Sequence, residues 1–360
     1  MTQIVPQPGI MDIALYQGGK SHLAGAADVL KLSSNENPLG PSPAAKQAIA
    51  AQVDLLHRYP STDHAALRLA IGEIHGLDPN RIICGVGSDE LLQFVTQAYA
   101  GPGDEIIHTE HGFSMYPILA RMAGATPVCV PEKDRIVDVD AVLDAVTART
   151  RVVLIANPGN PTGTIVDDAD LVRLADDLPS NVVLVLDGAY TEFAEGYDGG
   201  VKLADERPNV LMTRTFSKIY GLGGLRIGWG YAALEMIGVL NRIRQPFNLS
   251  ELQMAAAEAA VRDQGWVTDC ADLNAEQRAR LTGALRQLGF ACDDSFGNFV
   301  LARLADEAEA AAADAALQAD GILVRRVSSY GFPEGLRITV GDAEQTGRVI
   351  DALTRWREAG

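Results

Sequence analysis

One lysine, Lys218, stands between an apolar run and a glycine-rich segment. The apolar run covers residues 210–216, and three of the six residues after Lys218 are glycine. A strand that ends at such a turn can hold the amine away from water and beside a cation, here Arg226. Both effects lower the pKa of an amine and make it a nucleophile toward an aldehyde. Most lysines are solvated surface groups, and a covalent role for Lys218 is favoured here because three other segments each supply a group that a cofactor site needs.

Two further segments carry polar groups directly after apolar runs. Asp187 follows the run 182–186 and precedes Tyr190, and Asn160 lies in the turn 157–163, which contains two Asn-Pro pairs and two glycines. Open α/β sheets bind ligands at the carboxyl ends of their strands. Asp187 could cap the next helix, or it could pair with a protonated ring nitrogen. The Asn160 amide and the Tyr190 hydroxyl could donate to a ring oxygen.

A phosphate site is indicated where residues 85–90 join a strand to a helix. Backbone N–H groups at such a helix start, here those of Ser88 and Asp89, bind phosphate. Ser217 and Arg226 could complete the site by charge-assisted hydrogen bonds. Together with Lys218, Asp187 and Asn160, these groups are those that a pyridoxal phosphate site needs. Two glycine pairs start like dinucleotide fingerprints, but the last glycine is missing from both, which makes a dinucleotide-binding dehydrogenase a weak alternative.

The order of these segments resembles the fold-type I pyridoxal phosphate aminotransferases. The sharpest matches are the turn 157–163, the pair Asp187 and Tyr190, and the segment from Ser217 to Gly228. The resemblance implies that Lys218 bonds to the cofactor aldehyde and later moves a proton, that Asp187 holds the ring nitrogen, and that Asn160 and Tyr190 hold the ring oxygen.

The same resemblance assigns the remaining site residues. It places Phe113 on the face of the cofactor ring and Tyr59 at the cofactor phosphate of the neighbouring subunit, which implies a homodimer. The residues that it assigns to the cofactor phosphate within one subunit are Ser88, Asp89, Ser217 and Arg226. It assigns substrate binding to Tyr16, Arg325 and Arg337. One departure is Gly188, which stands where the family has an acidic residue; we expect this change to leave Asp187 in place.

Within that family the chain is similar to the enzymes that act on histidinol phosphate. The matching segments run nearly end to end and include residues 9–16, 32–41, 58–60 and 336–341. The implied reaction converts histidinol phosphate and 2-oxoglutarate into imidazole-acetol phosphate and glutamate, in histidine biosynthesis. Three alternatives stay open: an aromatic amino-acid aminotransferase, a decarboxylase of a phosphorylated amino acid, and a non-catalytic regulatory domain that binds pyridoxal phosphate.

Composition limits the class of protein and its partners. The chain has 360 residues and a formal net charge of −17, which argues against nucleic acid and anionic membranes as partners. No apolar run approaches the length of a membrane span, and no signal peptide is recognisable at the start. Four widely spaced cysteines fit a reducing cytoplasm and indicate no metal site.

Alternating apolar runs and helical patterns predict the fold class. We predict an α/β protein with a mainly parallel sheet between helices and a smaller α+β domain at the carboxyl end. The predicted division is an N-terminal arm at 1–40, a large cofactor-binding domain at 41–250 and a small domain at 251–360.

Overall fold

The computed structural model describes residues 4–16, 18–20, 22–23 and 29–359. Its strands are β1 Leu30–Lys31, β2 Ile82–Gly85, β3 Glu105–Thr109, β4 Thr126–Val130, β5 Glu132–Lys133, β6 Ile136–Val137, β7 Thr150–Ala156, β8 Val183–Asp187, β9 Val210–Thr215, β10 Gly228–Tyr231, β11 Phe299–Arg303, β12 Ile322–Leu323, β13 Arg325–Val327 and β14 Phe332–Thr339. Its helices are α1 Pro43–Gln52, α2 Ala65–His75, α3 Gly87–Tyr99, α4 Tyr116–Met122, α5 Val139–Asp144, α6 Asp168–Asp177, α7 Val201–Glu206, α8 Leu234–Ile243, α9 Glu251–Arg262, α10 Gln264–Gln287, α11 Glu307–Ala319 and α12 Ala343–Ala359.

A seven-stranded sheet forms the centre of the larger part. Its strand order is β2-β10-β9-β8-β7-β3-β4, and neighbouring strands are parallel except where β10 pairs with β2 and β9. The prediction of a mainly parallel sheet is therefore confirmed, while the reversed direction of β10 was not predicted. Because β10 is antiparallel to both neighbours, β2 runs in the same direction as β9.

Helices cover both faces of this sheet, which is why its strands read as continuous apolar runs. Successive side chains of a strand point to opposite faces. In β8, Leu184 and Leu186 belong to one buried cluster, and Val183 and Val185 belong to another. The first cluster also contains buried residues of α2, α6 and α9, and the second contains buried residues of α3, α4 and α8.

The carboxyl-terminal part has its own core. Strands β11, β14 and β13 form an antiparallel sheet, and residues of α10, α11 and α12 share a buried cluster with it. Strand β1 joins this part because it pairs in parallel with β12, Leu30 opposite Ile322. The segment expected to be an N-terminal arm thus pairs with the carboxyl-terminal part of the molecule.

The division expected near residue 250 falls just before α9. Met254 and Ala257 of α9 are buried in the core of the large sheet, and α9 packs against α1 and α2. Leu281 and Leu285, near the end of α10, belong instead to the smaller core. We therefore propose that the chain passes from one domain to the other within α10. None of the described helices combines the length and the apolar character that a membrane span requires.

Candidate active site

A cavity of about 390 Å³ lies at one edge of the large sheet. Strands β2, β7, β8 and β9 all end at this edge, and β10 begins there, with Gly228 opposite Gly85 and Thr215. Each loop at the edge can therefore present its side chains to the same cavity. This arrangement is the usual ligand position of an open α/β sheet.

The cavity brings together all but one of the residues singled out from the sequence. Those that line it are Tyr16, Ser88, Asp89, Phe113, Asn160, Asp187, Tyr190, Ser217, Lys218, Arg226, Arg325 and Arg337. Tyr59 does not line it. The Tyr59 side chain is 85% exposed, and its ring lies 4.8 Å from the ring of Phe247. In a single chain, then, Tyr59 does not contribute to the cavity.

The Lys218 amine is held near the start of the glycine-rich segment. Its Nζ donates a hydrogen bond to the Ser34 carbonyl oxygen at 3.3 Å. Burial, followed by the nearby charge of Arg337, lowers the pKa of Lys218 to about 8. About a tenth of this amine is therefore uncharged at pH 7, far more than for a lysine in water, and an uncharged amine can act as a nucleophile or a base.

Asp187 ends β8 as a buried carboxylate. The Tyr116 hydroxyl donates to its Oδ2 at 3.0 Å, and the Thr213 hydroxyl donates to its Oδ1 at 3.3 Å. Burial raises the pKa of Asp187 to about 6, against the lowering effect of the Tyr116 hydrogen bond. Both neighbours are neutral, so the carboxylate is suited to a cationic N–H partner in the cavity.

The turn 157–163 is fixed by side-chain hydrogen bonds. Asn157 both accepts from the backbone N–H of Val166 and donates to its carbonyl oxygen. The buried Arg337 donates to the Asn160 Oδ1 at 2.6 Å. Since its oxygen is occupied, Asn160 turns its NH₂ group away from Arg337 and has donors left for a ligand.

The Tyr190 hydroxyl has a buried neighbour as well. Asn35 Nδ2 donates to the Tyr190 oxygen at 2.9 Å. Burial raises the pKa of Tyr190, so the phenol keeps its proton at neutral pH. Asn160 and Tyr190 both line the cavity as hydrogen-bond donors.

The start of α3 and the Arg226 side chain form a cradle for an anion. Glu90 Oε2 accepts from the backbone N–H of Val86 at 2.7 Å. Among the described residues no side-chain cap covers the N–H groups that follow in the first turn of α3, so these are available to a ligand. Arg226 donates to Ser217 Oγ and to Asp89 Oδ2, both at 3.1 Å. The Asp89 carboxylate is thus paired with a cation, which reduces its repulsion of a bound phosphate. A Cβ at Gly228 would lie 2.3 Å from the Ser88 nitrogen, so glycine is required for β10 to approach the helix start.

Two arginines of the smaller sheet reach the same cavity. Arg325 and Arg337 are directly opposite each other on β13 and β14, so their side chains lie on the same face. Arg337 is 3% exposed, and the Arg325 guanidinium lies 5.9 Å from the centre of the Tyr16 ring and 5.6 Å from that of Tyr330. Arg325 is the first residue of β13, and Arg337 lies within β14.

Several residues of the site received no role from the sequence. Tyr116 contacts Asp187, Asn35 contacts Tyr190, and Tyr330 contacts Arg325. Asn35 lies in a segment that carried the family resemblance and Tyr116 lies three residues after Phe113, but single residues in a turn or helix give no signal of a partner far away in the sequence. At Gly188 an added Cβ would lie 2.5 Å from Thr191 Oγ1, while Tyr116 and Thr213 donate hydrogen bonds to the neighbouring Asp187 carboxylate.

A family model described as aminotransferase class I and II matches residues 27–353. The chain is 67% identical to a histidinol-phosphate aminotransferase of Ruegeria pomeroyi over 359 residues, which are 100% of this chain and 99% of that protein. It is 64% identical to a protein of the same name from Roseobacter denitrificans, with 99% of each chain covered.

Solved structures agree with the fold. The histidinol-phosphate aminotransferase of Sinorhizobium meliloti, crystallised in complex with pyridoxal-5'-phosphate, has a TM-score of 0.90 at 27% identity and covers 98% of this chain and 97% of its own. A Thermus thermophilus aspartate aminotransferase has a TM-score of 0.78 at 22% identity, covers 91% of this chain and 92% of its own, and shares the fold.

The raised pKa of Asp187 predicts how stability changes with pH. The folded state keeps a proton up to about pH 6, whereas an unfolded aspartate loses it near pH 4. Stability is therefore lost as the pH rises from about 4 to 6, and the cost stays at its full value above that range. Asparagine carries no charge, so Asp187→Asn removes this loss of stability, which corresponds to a pKa shift of about two units. The substitution is expected to raise the free energy of unfolding by about 3 kcal/mol at pH 7.5.

Urea denaturation of ligand-free protein at pH 4 and pH 7.5 measures this difference. Thr213→Val is the control, because it removes one hydrogen bond to Asp187 and leaves the charge. A stabilisation by Asp187→Asn that is equal at both pH values would contradict the prediction.

Proposed function

The chain belongs to the class I and II aminotransferase family, and on that premise we propose that it transfers the amino group between histidinol phosphate and 2-oxoglutarate with pyridoxal phosphate as cofactor. The products are imidazole-acetol phosphate and glutamate, and the reaction belongs to histidine biosynthesis. The observation that supports the proposal is a sequence identity of 67% over the full length to a protein named histidinol-phosphate aminotransferase. The cavity agrees with it, because it is lined both by the residues expected to bind the cofactor and by two arginines, Arg325 and Arg337.

The residues present fit pyridoxal phosphate. The buried Asp187, whose described neighbours are neutral hydroxyls, suits the protonated ring nitrogen. Asn160 and Tyr190 supply donors for the ring oxygen, and Phe113 offers a flat apolar face. The phosphate would be held by the N–H groups of Ser88 and Asp89 together with Ser217 and Arg226. When bound, the cofactor withdraws electrons from the α-carbon of the substrate.

The protein residues then handle the proton and the substrate. Lys218 would hold the cofactor through its aldehyde carbon, and the same amine, once free, would carry a proton to and from the α-carbon of the substrate. Its pKa of about 8 suits this work, since an effective acid–base group titrates near the working pH. Arg337 and Arg325 hold the substrate phosphate, and Tyr16 closes over it.

We further propose that the active enzyme is a homodimer. Tyr59 is 85% exposed and contacts Phe247, which is 43% exposed, while the nearby Val53 and Leu56 are 52% and 64% exposed. Exposed apolar groups of this kind favour a subunit contact. By the family resemblance Tyr59 would reach the cofactor phosphate of the partner, which accounts for its position outside the cavity of its own chain.

A substrate panel tests the proposed function. Purified protein with pyridoxal phosphate and 2-oxoglutarate is given histidinol phosphate, phenylalanine, tyrosine or threonine phosphate, and glutamate and carbon dioxide are measured. Glutamate formation that is fastest with histidinol phosphate supports the proposal. Preference for phenylalanine or tyrosine would favour an aromatic aminotransferase, and carbon dioxide release from threonine phosphate would favour a decarboxylase.

Lys218→Ala is expected to abolish covalent attachment of the cofactor. Borohydride reduction of the wild type followed by peptide mass spectrometry should place the added mass on Lys218, and the variant should carry none. Transamination should fall by at least about 10²–10⁴-fold, the usual contribution of acid–base catalysis. Lys202→Ala is the control, since that lysine lies outside the cavity on α7. Cofactor mass on another lysine of the wild type would contradict the assignment.

Arg325→Ala is expected to separate phosphorylated from unphosphorylated substrates. Loss of one partner of a desolvated charge pair costs on the order of 2–5 kcal/mol, so kcat/KM for histidinol phosphate should fall by about 30-fold or more. Glutamate should be affected less. Arg326→Ala is the matched control, because Arg326 is the next residue in the chain and its side chain bonds to Glu307 and to the Pro333 carbonyl oxygen. Equal losses for both substrates would favour the aromatic alternative.

Subunit mixing tests the role of Tyr59. Tyr59→Ala and Lys218→Ala proteins are each expected to be poorly active, but a hybrid dimer contains one site with both native residues. Random re-pairing makes about half of the dimers hybrid, so about a quarter of wild-type activity should return. Ultracentrifugation should show a dimer. A monomeric active enzyme, or no recovery in verified hybrids, would refute the proposal.

A further inference from the structure

Residues 33–35 connect three of the proposed functional groups. The Ser33 carbonyl accepts a hydrogen bond from Arg337 at 2.9 Å, and the Ser34 carbonyl accepts one from Lys218 at 3.3 Å. Asn35 donates to the Tyr190 hydroxyl at 2.9 Å. The first two contacts use backbone atoms, which any residue supplies, whereas the third depends on the asparagine side chain.

The orientation of the Asn35 amide is fixed by Thr339. The Asn35 backbone N–H donates to Thr339 Oγ1 at 3.0 Å, and that hydroxyl donates to Asn35 Oδ1 at 3.2 Å. Asn298 Nδ2 donates to the Asn35 carbonyl oxygen at 3.0 Å. Because Oδ1 faces Thr339, the Nδ2 group faces Tyr190. The series of donors therefore runs in one direction, from Thr339 through Asn35 to Tyr190.

The backbone of Asn35 restricts which residues can take this place. Its φ is 56°, in the left-handed region, and its side chain is 1% exposed. Asparagine and aspartate tolerate this region better than other residues with a side chain. Aspartate, however, has no N–H to donate when it is ionised, so the direction of the contact with Tyr190 distinguishes the two.

We infer that Asn35 is a positioning residue that directs the Tyr190 hydroxyl proton into the cavity, toward the ring oxygen of the cofactor. The inference rests on the proposed function. A phenol has one proton and can accept two hydrogen bonds. The amide of Asn35 can only donate at this contact, so the Tyr190 oxygen accepts there and its proton must point elsewhere. Tyr190 lines the cavity, and its raised pKa keeps the proton in place.

The Asn160 side chain is also oriented by a hydrogen bond from a buried donor. Arg337 donates to its oxygen and turns its NH₂ group away. The two groups proposed to hold the ring oxygen are thus both oriented by buried donors, Arg337 for Asn160 and Asn35 for Tyr190. For Tyr190 the orienting residue comes from the N-terminal segment, which pairs with the smaller sheet through Thr339.

The test measures the pH midpoint of the absorption change of the bound cofactor. A hydrogen bond donated to the ring oxygen stabilises its anionic form, which lowers the pKa of the nitrogen attached to Lys218. Tyr190→Phe is therefore expected to raise the midpoint by about one pH unit. Asn35→Asp keeps the size and backbone preference of asparagine, but its carboxylate draws the Tyr190 proton toward itself, so it should raise the midpoint too.

The double variant, Asn35→Asp with Tyr190→Phe, separates the loss of the hydrogen bond from Tyr190 from the effect of the added carboxylate charge. In the Tyr190→Phe background only the through-space effect of the new carboxylate remains, so the shift caused by Asn35→Asp should be smaller by about one pH unit. The same comparison with Asn35→Gly introduces no charge, and glycine adopts the left-handed backbone conformation without strain. It should shift the midpoint upward only when Tyr190 is present. Glu36→Gln is the control, because Glu36 is exposed and pairs with Lys31; no shift is expected.

The outcomes of this cycle are distinct. Non-additive shifts for the Asn35 and Tyr190 changes support the inference. Fully additive shifts, or an unchanged midpoint in both Asn35 variants, would overturn it while the proposed function stands. A wild-type protein that does not bind pyridoxal phosphate through Lys218 would overturn both. Thermal unfolding of each holoenzyme identifies a variant that is merely misfolded, in which case the other Asn35 variant decides.

Discussion

The parallel register of β7, β8 and β9 is the constraint on which the site depends. Ala156 lies opposite Asp187, and Asp187 lies opposite Thr213, so the strands end within a residue or two of one another. The turn with Asn160, the carboxylate of Asp187 and the segment with Lys218 therefore meet although they are far apart in sequence. A shift of one residue in β8 would turn Asp187 to the other face of the sheet.

Desolvation acts in opposite directions on the charged groups at this edge. It raises the pKa of Asp187 and lowers those of Lys218 and Arg337. In each case burial is the largest cause, and it favours the neutral form. Such groups reduce the stability of the fold, and the extensive apolar burial on both faces of the sheet offsets that cost. The same desolvation makes each group respond strongly to an opposite charge brought by a ligand.

The sequence predicted the parts of the structure that local patterns encode. Apolar runs predicted the parallel strands, and polar residues directly after them, such as Asp187 and Lys218, indicated the residues that would meet in one cavity. The antiparallel direction of β10 was not predicted, because a four-residue strand that contains two glycines carries no sign of its direction. Contacts such as Tyr116 with Asp187 depend on how a helix packs over a strand, which no spacing in the sequence records.

The net charge of the chain and the charge of the cavity have opposite consequences for an anionic substrate. A formal charge of −17 disfavours long-range attraction of a phosphate, but charges beyond about 10 Å are largely screened at physiological salt. Within the cavity, Arg226 is near Asp89, whereas Arg325 and Arg337 lie opposite each other on adjacent strands. Selection of an anion must therefore occur after encounter, where the buried Arg337 and the half-buried Arg325 act at short range and the rest of the surface contributes little.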